Sequence, residues 1–540
     1  MASTLAEGDF GVKGVMTYGL YPGEKPYQLR AVVAQITSVL PDYRVPAPRH
    51  DARQESTAGA RRSHMDSSRS VGSWRELGGH SGTAVVLAGG VLVGAINIYL
   101  AASLLPTAVA DIGGERLYAW NTTVFLIAQV VATMLVSRTL SRSGNVGSYL
   151  LGFGVFAVGS VLCAASPVMP VLLVGRGVQG LGAGLLTGLG FALIHSALPR
   201  HLWVRGSALI SAMFGLGNFF GPALGGLFAQ FGSWRLAFVV LALVSVVLAA
   251  LVPRVLPGSG RTEGAAVPVA TRSLLLVIGA AGAVSIAGIL SNALVMAVFL
   301  ALALALAWAF VRTERRGSVR VLPRLTYQGG SALRWVYLTI ALLASGVAVE
   351  TFLPLFGQRL GGLPPVAAGF FGAALSLGWS VIQVISSSAR REQTVRRLRV
   401  AGPGLLSAGL ATLALLQHRG PSVPAVIAWL PVLLIAGAGI GLAMPHLSVA
   451  AMASTTDKQE GEKAAAAIAT VLTMSTAFGA ALAGFLVNVG GPSLVSSARW
   501  LLFGFAALTA LGTLTALRAD HSGTRSAEGR SADEVEATNG

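Results

Sequence analysis

From about residue 84 to residue 518 the chain alternates long apolar runs with short polar loops that carry arginine. Crossing about 30 Å of hydrocarbon takes roughly 20 apolar residues in helical form, and runs of that length recur throughout this stretch. They predict spans at 84–106, 120–137, 147–166, 169–196, 205–230, 235–253, 273–290, 292–311, 335–357, 366–388, 400–417, 424–446, 463–488 and 498–517, fourteen in all. The expected class is an all-α integral membrane protein, because no soluble fold carries this pattern.

The flanks differ. Residues 1–80 are rich in Arg, Ser, Pro and Gly, with no apolar run long enough for a signal peptide or a span, and are expected to be a disordered cytoplasmic tail. Met65 stands just before Trp74-Arg75-Glu76-Leu77 and would serve as a start, leaving residues 1–64 as an extension. Residues 519–540 read as a second solvated tail.

Composition adds little to this and removes much. The chain is 54% hydrophobic and 11% charged, so its net charge of +17 invites a nucleic-acid reading. The arginines contradict it, because they gather in alternate loops. Arg138 and Arg142, Arg200 and Arg205, Arg254, Arg261 and Arg272, the group from Arg312 to Arg324, and the group from Arg390 to Arg399 fall on one side of the expected bundle. That side is cytoplasmic by the positive-inside rule, and an even span count puts both termini there. The Arg390–Arg399 run then meets anionic lipid headgroups. Nothing calls for DNA. The single cysteine, Cys163, excludes an intramolecular disulfide. No P-loop and no Cys/His metal spacing occurs, so neither ATP drive nor a metal centre nor an enzyme is expected. High Gly and Ala content with arginine in place of lysine points to a GC-rich bacterial genome, hence a plasma-membrane location.

An internal repeat organises the spans. Leu105-Pro106, six residues, then Gly113-Gly114 after span one matches Leu353-Pro354, six residues, then Gly361-Gly362 after span nine. Phe220-Gly221 to Gly226 in span five likewise matches Phe478-Gly479 to Gly484 in span thirteen. Two matches in the same order predict two six-helix bundles, 81–254 and 335–518, joined by a linker, 255–334, that carries spans seven and eight as an inserted pair. Coincidence in Gly/Ala/Leu-rich sequence is the competing explanation.

Three stretches carry a family likeness. They are Arg176-Gly-Val-Gln179-Gly180-Leu-Gly182 in span four, Gly217-Asn-Phe-Phe-Gly221-Pro222-Ala-Leu-Gly225-Gly226 in span five, and Trp234-Arg235 after it. Together they resemble the drug:proton antiporters of the major facilitator superfamily, in the fourteen-span branch, over roughly residues 74–518. The resemblance implies alternating access, in which two halves rock about a central cavity and inward proton flow drives export of a hydrophobic compound. Two departures stand out. The family's charged latch after span two reads Ser137-Arg-Thr-Leu-Ser141-Arg142-Ser-Gly144-Asn145 here, keeping Arg142 and Gly144 for the turn but lacking its Asp. In span one, an acid common in the family is Asn97, which cannot titrate.

The polar residues inside the spans are the candidates for chemistry. Arg176 and Glu350 each lie about seven residues inside the outer ends of spans four and nine, roughly 10 Å deep at 1.5 Å per residue. Glu350 is the carboxylate well within a span, and a carboxyl whose surroundings change as the halves rock changes its hold on a proton. It is expected to bind the proton in the outward-open state and release it inward, with Arg176 repelling or displacing it and also holding the span-four interface. A fixed Glu–Arg or Glu–backbone contact that merely orders the bundle is the structural alternative. Gln179 is expected to bond across helices, and the span-five glycines to seal the cavity against proton leak while Pro222 supplies a kink. Asn97, Gln129 and Gln383, with the aromatics Tyr99, Trp120, Phe125, Phe352 and Trp379, are candidates for contact with an amphipathic small molecule. His446 reads as an interfacial polar residue. The expected function is efflux of amphipathic or hydrophobic compounds in exchange for protons by a monomer, with no cofactor beyond the proton gradient. An exporter of one endogenous lipid, siderophore or metabolite, and a non-transporting sensor with the same fold, are the other readings.

Overall fold

The computed structural model describes residues 75–76, 79–194, 198–199, 202–256, 270–290, 292–317, 320–328, 331–452, 454 and 458–539. The expectations for residues 1–74, for Met65, and for Arg200 and Arg261 fall outside them.

The described chain is helical, with fourteen helices long and apolar enough to cross a membrane. The first half holds α1 (Ser81–Ile112), α2 (Trp120–Met134), α3 (Val136–Ala164), α4 (Met169–Ala192), α5 (Trp203–Phe231) and α6 (Trp234–Val255). The inserted pair is α7 (Thr271–Ile289) and α8 (Ala293–Arg316). The second half holds α9 (Leu333–Arg359), α10 (Pro365–Ser386), α11 (Glu392–Leu415), α12 (Val423–Met452), α13 (Lys458–Val489) and α14 (Leu494–Asn539).

Two elements carry detail beyond the predicted spans. Span nine is not one helix: α9a (Leu333–Gly346) passes through a 3-10 turn at Val347–Thr351 before α9b (Leu353–Arg359) resumes. Pro354, second in α9b, has no amide hydrogen to give a continuous ladder, and Glu350 lies inside the break. α14 also continues past span fourteen through residues 519–539, the stretch expected to be a solvated tail. Asp520 anchors that continuation, pairing with Arg399 at 2.6 Å and Arg396 at 3.4 Å from α11.

Between apolar helices in lipid there is little hydrophobic drive, so close backbone approach does the packing, and glycine provides it. Gly217 and Gly221 of α5 lie against α1, where a Cβ would fall 2.6 Å from the Cβ of Ala95 and of Tyr99 respectively. The same relation recurs in the second half, where Gly479 of α13 lies against Ser345 and Ala348 of α9. Gly180 and Gly184 of α4 face the carbonyls of Phe125 and Gln129 on α2, as Gly437 and Gly441 of α12 face those of Leu375 and Trp379 on α10. The two halves are therefore pseudo-symmetric in their contacts. The inserted α7 packs on α13, with Gly288 over Phe485, while α8 turns almost all its surface outward, as a lipid-facing helix does.

Candidate functional site

The turn after α2 forms as the retained glycine requires. Gly144 takes φ +65°, a left-handed conformation that other residues rarely adopt, and its carbonyl accepts from Ser148 at 2.6 Å. Arg142 beside it is exposed, with no ion pair among the described residues.

Arg176 is the buried cation of the first half, 1% exposed. Its Nη1 donates to Asn97 Oδ1 at 3.0 Å and to Gln179 Oε1 at 2.7 Å, its Nε donates to the Asn121 carbonyl at 3.3 Å, and its guanidinium lies 4.3 Å from the Phe125 ring centroid. Gln179 passes the network to α3, donating to Ser160 Oγ at 2.8 Å. Gly182 and Gly175 bring α4 against α3 closely enough for this. Arg176 thus ties α1, α2 and α4 together without a carboxylate among the described residues. Asn97 and Phe125 are engaged here and are not among the residues that line the central cavity described below.

Among the described residues Glu350 shares no hydrogen-bond partner with that cluster. Its Oε1 accepts from the Ser376 amide at 2.7 Å and its Oε2 from the Ser376 hydroxyl at 3.0 Å. In this conformation Arg176 and Glu350 are not hydrogen-bonded to one another, and each is held by other partners. Ser376 was not visible in the sequence as a candidate, and neither was its reach into the first half: its Oγ lies 3.4 Å from the Tyr99 hydroxyl of α1.

Glu350 lines a central cavity of about 190 Å³ with Tyr99, Leu126, Pro222, Trp379 and Leu472. Drug-sized ligands fill roughly 300–1,000 Å³, so the halves must part further to load one. Of the expected contact residues, Tyr99 and Trp379 line this cavity. Gln383 is exposed below it and accepts from the Trp379 indole at 2.6 Å. Gln129 is buried outside it, at the α2–α4 contact. Phe352 does not line it: it follows the break in α9 and is stacked on Tyr118 of the first half at 4.8 Å between centroids. His446 is buried and bonded to Ser386 Oγ at 3.0 Å at the α10–α12 contact.

The contacts between halves gather toward the outer ends. Gly226 of α5 meets the Val366 backbone of α10, and Gly484 of α13 meets Ala119 of the first half. Ser103 donates to the Pro222 carbonyl at 3.3 Å, bracing the point where Gly369 of α10 approaches. α5 runs through Pro222 without interruption. Arg359 pairs with Glu115 at 2.7 Å, and Asn488 donates to the Arg116 carbonyl at 3.2 Å. Beside them, Asp111 of α1 holds Trp234 at 3.1 Å and Arg235, which also reaches the Ser166 carbonyl at the end of α3. The outer end is closed.

Two pseudo-symmetric helical halves closed over a largely apolar central cavity that holds one carboxylate define a membrane transporter of the alternating-access class. The family model of the Major Facilitator Superfamily matches residues 87–459, and the chain belongs to that family. A protein of Mycobacterium tuberculosis described as a probable multidrug-efflux transporter is 46% identical over 462 residues, 84% of this chain and 98% of its own length. Multidrug resistance protein 3 of Bacillus subtilis is 23% identical over 378 residues, 67% of this chain and 71% of its own. Among solved structures, a D-xylose–proton symporter matches with a TM-score of 0.59 at 14% identity, covering 81% of this chain and 96% of its own. A bacterial homolog of the human lysosomal transporter Spinster, in an inward-facing and unoccupied conformation, matches at 0.60 and 13% identity, covering 82% and 97%. The protein is a multi-pass membrane protein of the bacterial plasma membrane.

Proposed function

We propose that the chain exports hydrophobic and amphipathic compounds in exchange for protons, with Glu350 as the proton carrier. The observation that carries this reading is the placement of Glu350: a carboxylate in the central cavity, at a helix break, with Ser376 alone among the described residues bonding its oxygens. Ionisable groups at membrane depth are costly and mark ion pathways. A carboxylate enclosed among apolar walls is also the group a cationic amphipath would seek when the halves part, so proton and substrate would use the site in turn. The 46% identity to a probable multidrug-efflux transporter supports the substrate class. Arg176 would fix the geometry of α1, on which Tyr99 faces Glu350. The span-five glycines and Pro222 would keep the outer seal, and one chain would be the working unit because both halves of the cavity belong to it.

The test is accumulation of ethidium in cells expressing the chain, with and without a protonophore. Wild type should extrude the dye until the protonophore is added. Glu350→Gln at matched expression should abolish extrusion, and a Gln variant that still extrudes against a pH gradient would remove Glu350 from the mechanism.

A further inference from the structure

A second cavity, of about 560 Å³, lies at the outer end and shares no lining residue with the central one. Its size is that of drug-sized ligands, roughly 300–1,000 Å³. One peptide bond divides the two cavities, since Thr351 lines the central one and Phe352 the outer one. The outer cavity is therefore the space that stays beyond the seal when the halves are closed.

Both halves and the inserted pair build it. The turn between α1 and α2 supplies Arg116 from the first half, α9 supplies Phe352 and Leu355 from the second, and the end of α7 supplies Ile289. Its charged side chains are Glu115, Arg116 and Arg359, and Glu115 is taken by Arg359 at 2.7 Å. One cation is left over. Arg116 is exposed, and its guanidinium has no ion pair among the described residues. The polar neighbours do not use it: Asn488 donates to the Arg116 carbonyl at 3.2 Å and Ser497 to the Gly491 carbonyl at 3.1 Å. Tyr118, which also lines the cavity, has a buried hydroxyl with no partner among the described residues.

A free guanidinium beside an aromatic ring and aliphatic side chains fits one class of ligand. That class is an amphipath with a carboxylate or phosphate head, which the guanidinium fork bonds through two oxygens while Phe352, Leu355 and Ile289 take the apolar part. A cationic amphipath, suited to the carboxylate of the central cavity, meets the wrong charge here.

We propose that the outer cavity binds anionic amphipaths and that its occupancy holds the outer end shut. Arg116 belongs to the first half, Phe352 and Leu355 to the second, and the Tyr118–Phe352 stack at 4.8 Å joins the two beside the cavity. Parting the halves draws Arg116 away from the apolar wall, so the ligand prefers the closed state and shifts the equilibrium by the amount of that preference. The site is a brake on transport that acts from outside, and it does not depend on Glu350 carrying the proton.

The experiment uses the full-length chain in nanodiscs of neutral phosphatidylcholine, with spin labels on cysteines replacing the exposed outer residues Phe231 and Val423. Cys163 is fully buried and stays unlabelled. The probe is naphthoate at neutral pH, where its carboxylate is ionised, and the matched cation is naphthylmethylammonium. Binding is read from probe fluorescence anisotropy against empty discs, and closure from the label distances. Naphthoate should bind saturably and raise the closed fraction, and the cation should do neither. Arg116→Ala should move the naphthoate midpoint up by about ten-fold, the yield of one hydrogen bond between charged groups. Arg116→Lys should move it less, and Arg116→Glu should reverse the preference between the two probes. Discs containing phosphatidylglycerol separate the sources of the anion. If a lipid headgroup fills the site, wild type starts more closed in these discs and Arg116→Ala does not; if the anion comes from solution, the naphthoate curve is the same in both discs. Equal closure by both probes, a naphthoate midpoint unmoved in Arg116→Ala, or closure by neither naphthoate nor phosphatidylglycerol would overturn the proposal.

Discussion

Nη1 of Arg176 donates to Oδ1 of Asn97 at 3.0 Å, so a neutral amide on α1 holds the buried cation. Asn97→Asp would place a full counter-charge on a guanidinium that is already desolvated. Because the cost of burying the cation is met either way, the new acid should stabilise the fold, by roughly 1–3 kcal/mol for a hydrogen bond between charged groups. Asn97→Leu should destabilise by a similar amount through an unmatched donor. Thermal unfolding in detergent separates the two, and a lower melting point for the Asp variant would contradict this account.

The α5 glycines differ in what surrounds them, so they should differ in what they tolerate. A Cβ at Gly221 would fall 2.6 Å from the Tyr99 Cβ and 2.9 Å from the Ile96 carbonyl, whereas one at Gly215 would meet nothing within 4 Å. Gly221→Leu should cost about 1–3 kcal/mol by forcing α1 and α5 apart. It should also admit a proton leak, visible as collapse of an imposed pH gradient in proteoliposomes without substrate. Gly215→Leu, which trades glycine for a better helix former on a face with room, should leave the gradient intact.

Closure depends on a second pair of glycines, Gly226 and Gly484, one from each half, at positions the repeat relates. Leucine at either would wedge the halves at the outer end. Thr351→Cys, buried beside Glu350, should then react with a membrane-impermeant maleimide added outside, while the same cysteine in an otherwise wild-type background should react slowly. Equal reaction rates would mean that the glycine contacts do not govern opening.

These contacts show what the sequence could and could not carry. The spacing of Gly217, Gly221 and Gly225 fixed a helix–helix seam, because a four-residue glycine repeat has few other uses in lipid. Glu350 was legible because a carboxylate in an apolar run is rare. Ser376 was not, since serines are common in such runs and nothing in spacing says which one faces an acid on another helix. Phe352 was assigned to the central cavity for a related reason: a continuous span nine was expected, whereas it lies after the break in α9 and outside that cavity. Asn97 and Phe125 were assigned to the cavity because polar and aromatic residues there suggest a ligand, when their partner was the buried Arg176.

The outer ion pair should respond to salt. Arg359 and Glu115 meet at 2.7 Å, but their side chains keep 36% and 68% of their surface in water, so the pair contributes at most about 1 kcal/mol and is screened. Arg359→Ala should raise the open fraction by no more than about five-fold at low ionic strength, on that energy scale, and hardly at all near 1 M salt. Labels at the outer ends would report this, and a large effect at high salt would mean that packing, not charge, is lost.

Glu314 closes the inserted pair, although in sequence it looks like an ordinary charge at the end of an apolar run. It is fully buried at the end of α8 and accepts from Ser273 of α7 at 2.5 Å, from the amides of Val321 and Leu322, and from the Tyr327 hydroxyl at 3.1 Å. Burial, and then the neighbouring Glu314 charge, push the Tyr327 phenol above its ordinary range, so it remains a donor at every working pH. Every partner of Glu314 is a donor, which suits a carboxylate and no other side chain of that size. Glu314→Gln replaces one acceptor oxygen by an NH2 that faces amide hydrogens, leaving at least one buried N–H unmatched at roughly 1–3 kcal/mol. The segment that leads from α8 into the second half should then open about ten-fold more often, since each 1.4 kcal/mol of local opening free energy is one factor of ten. Arg320 and Arg324 lie in that segment, so limited trypsin digestion in detergent reads the opening directly. Cleavage at the wild-type rate in the Gln variant would show that packing of α7 against α13, and not this carboxylate, holds the segment in place.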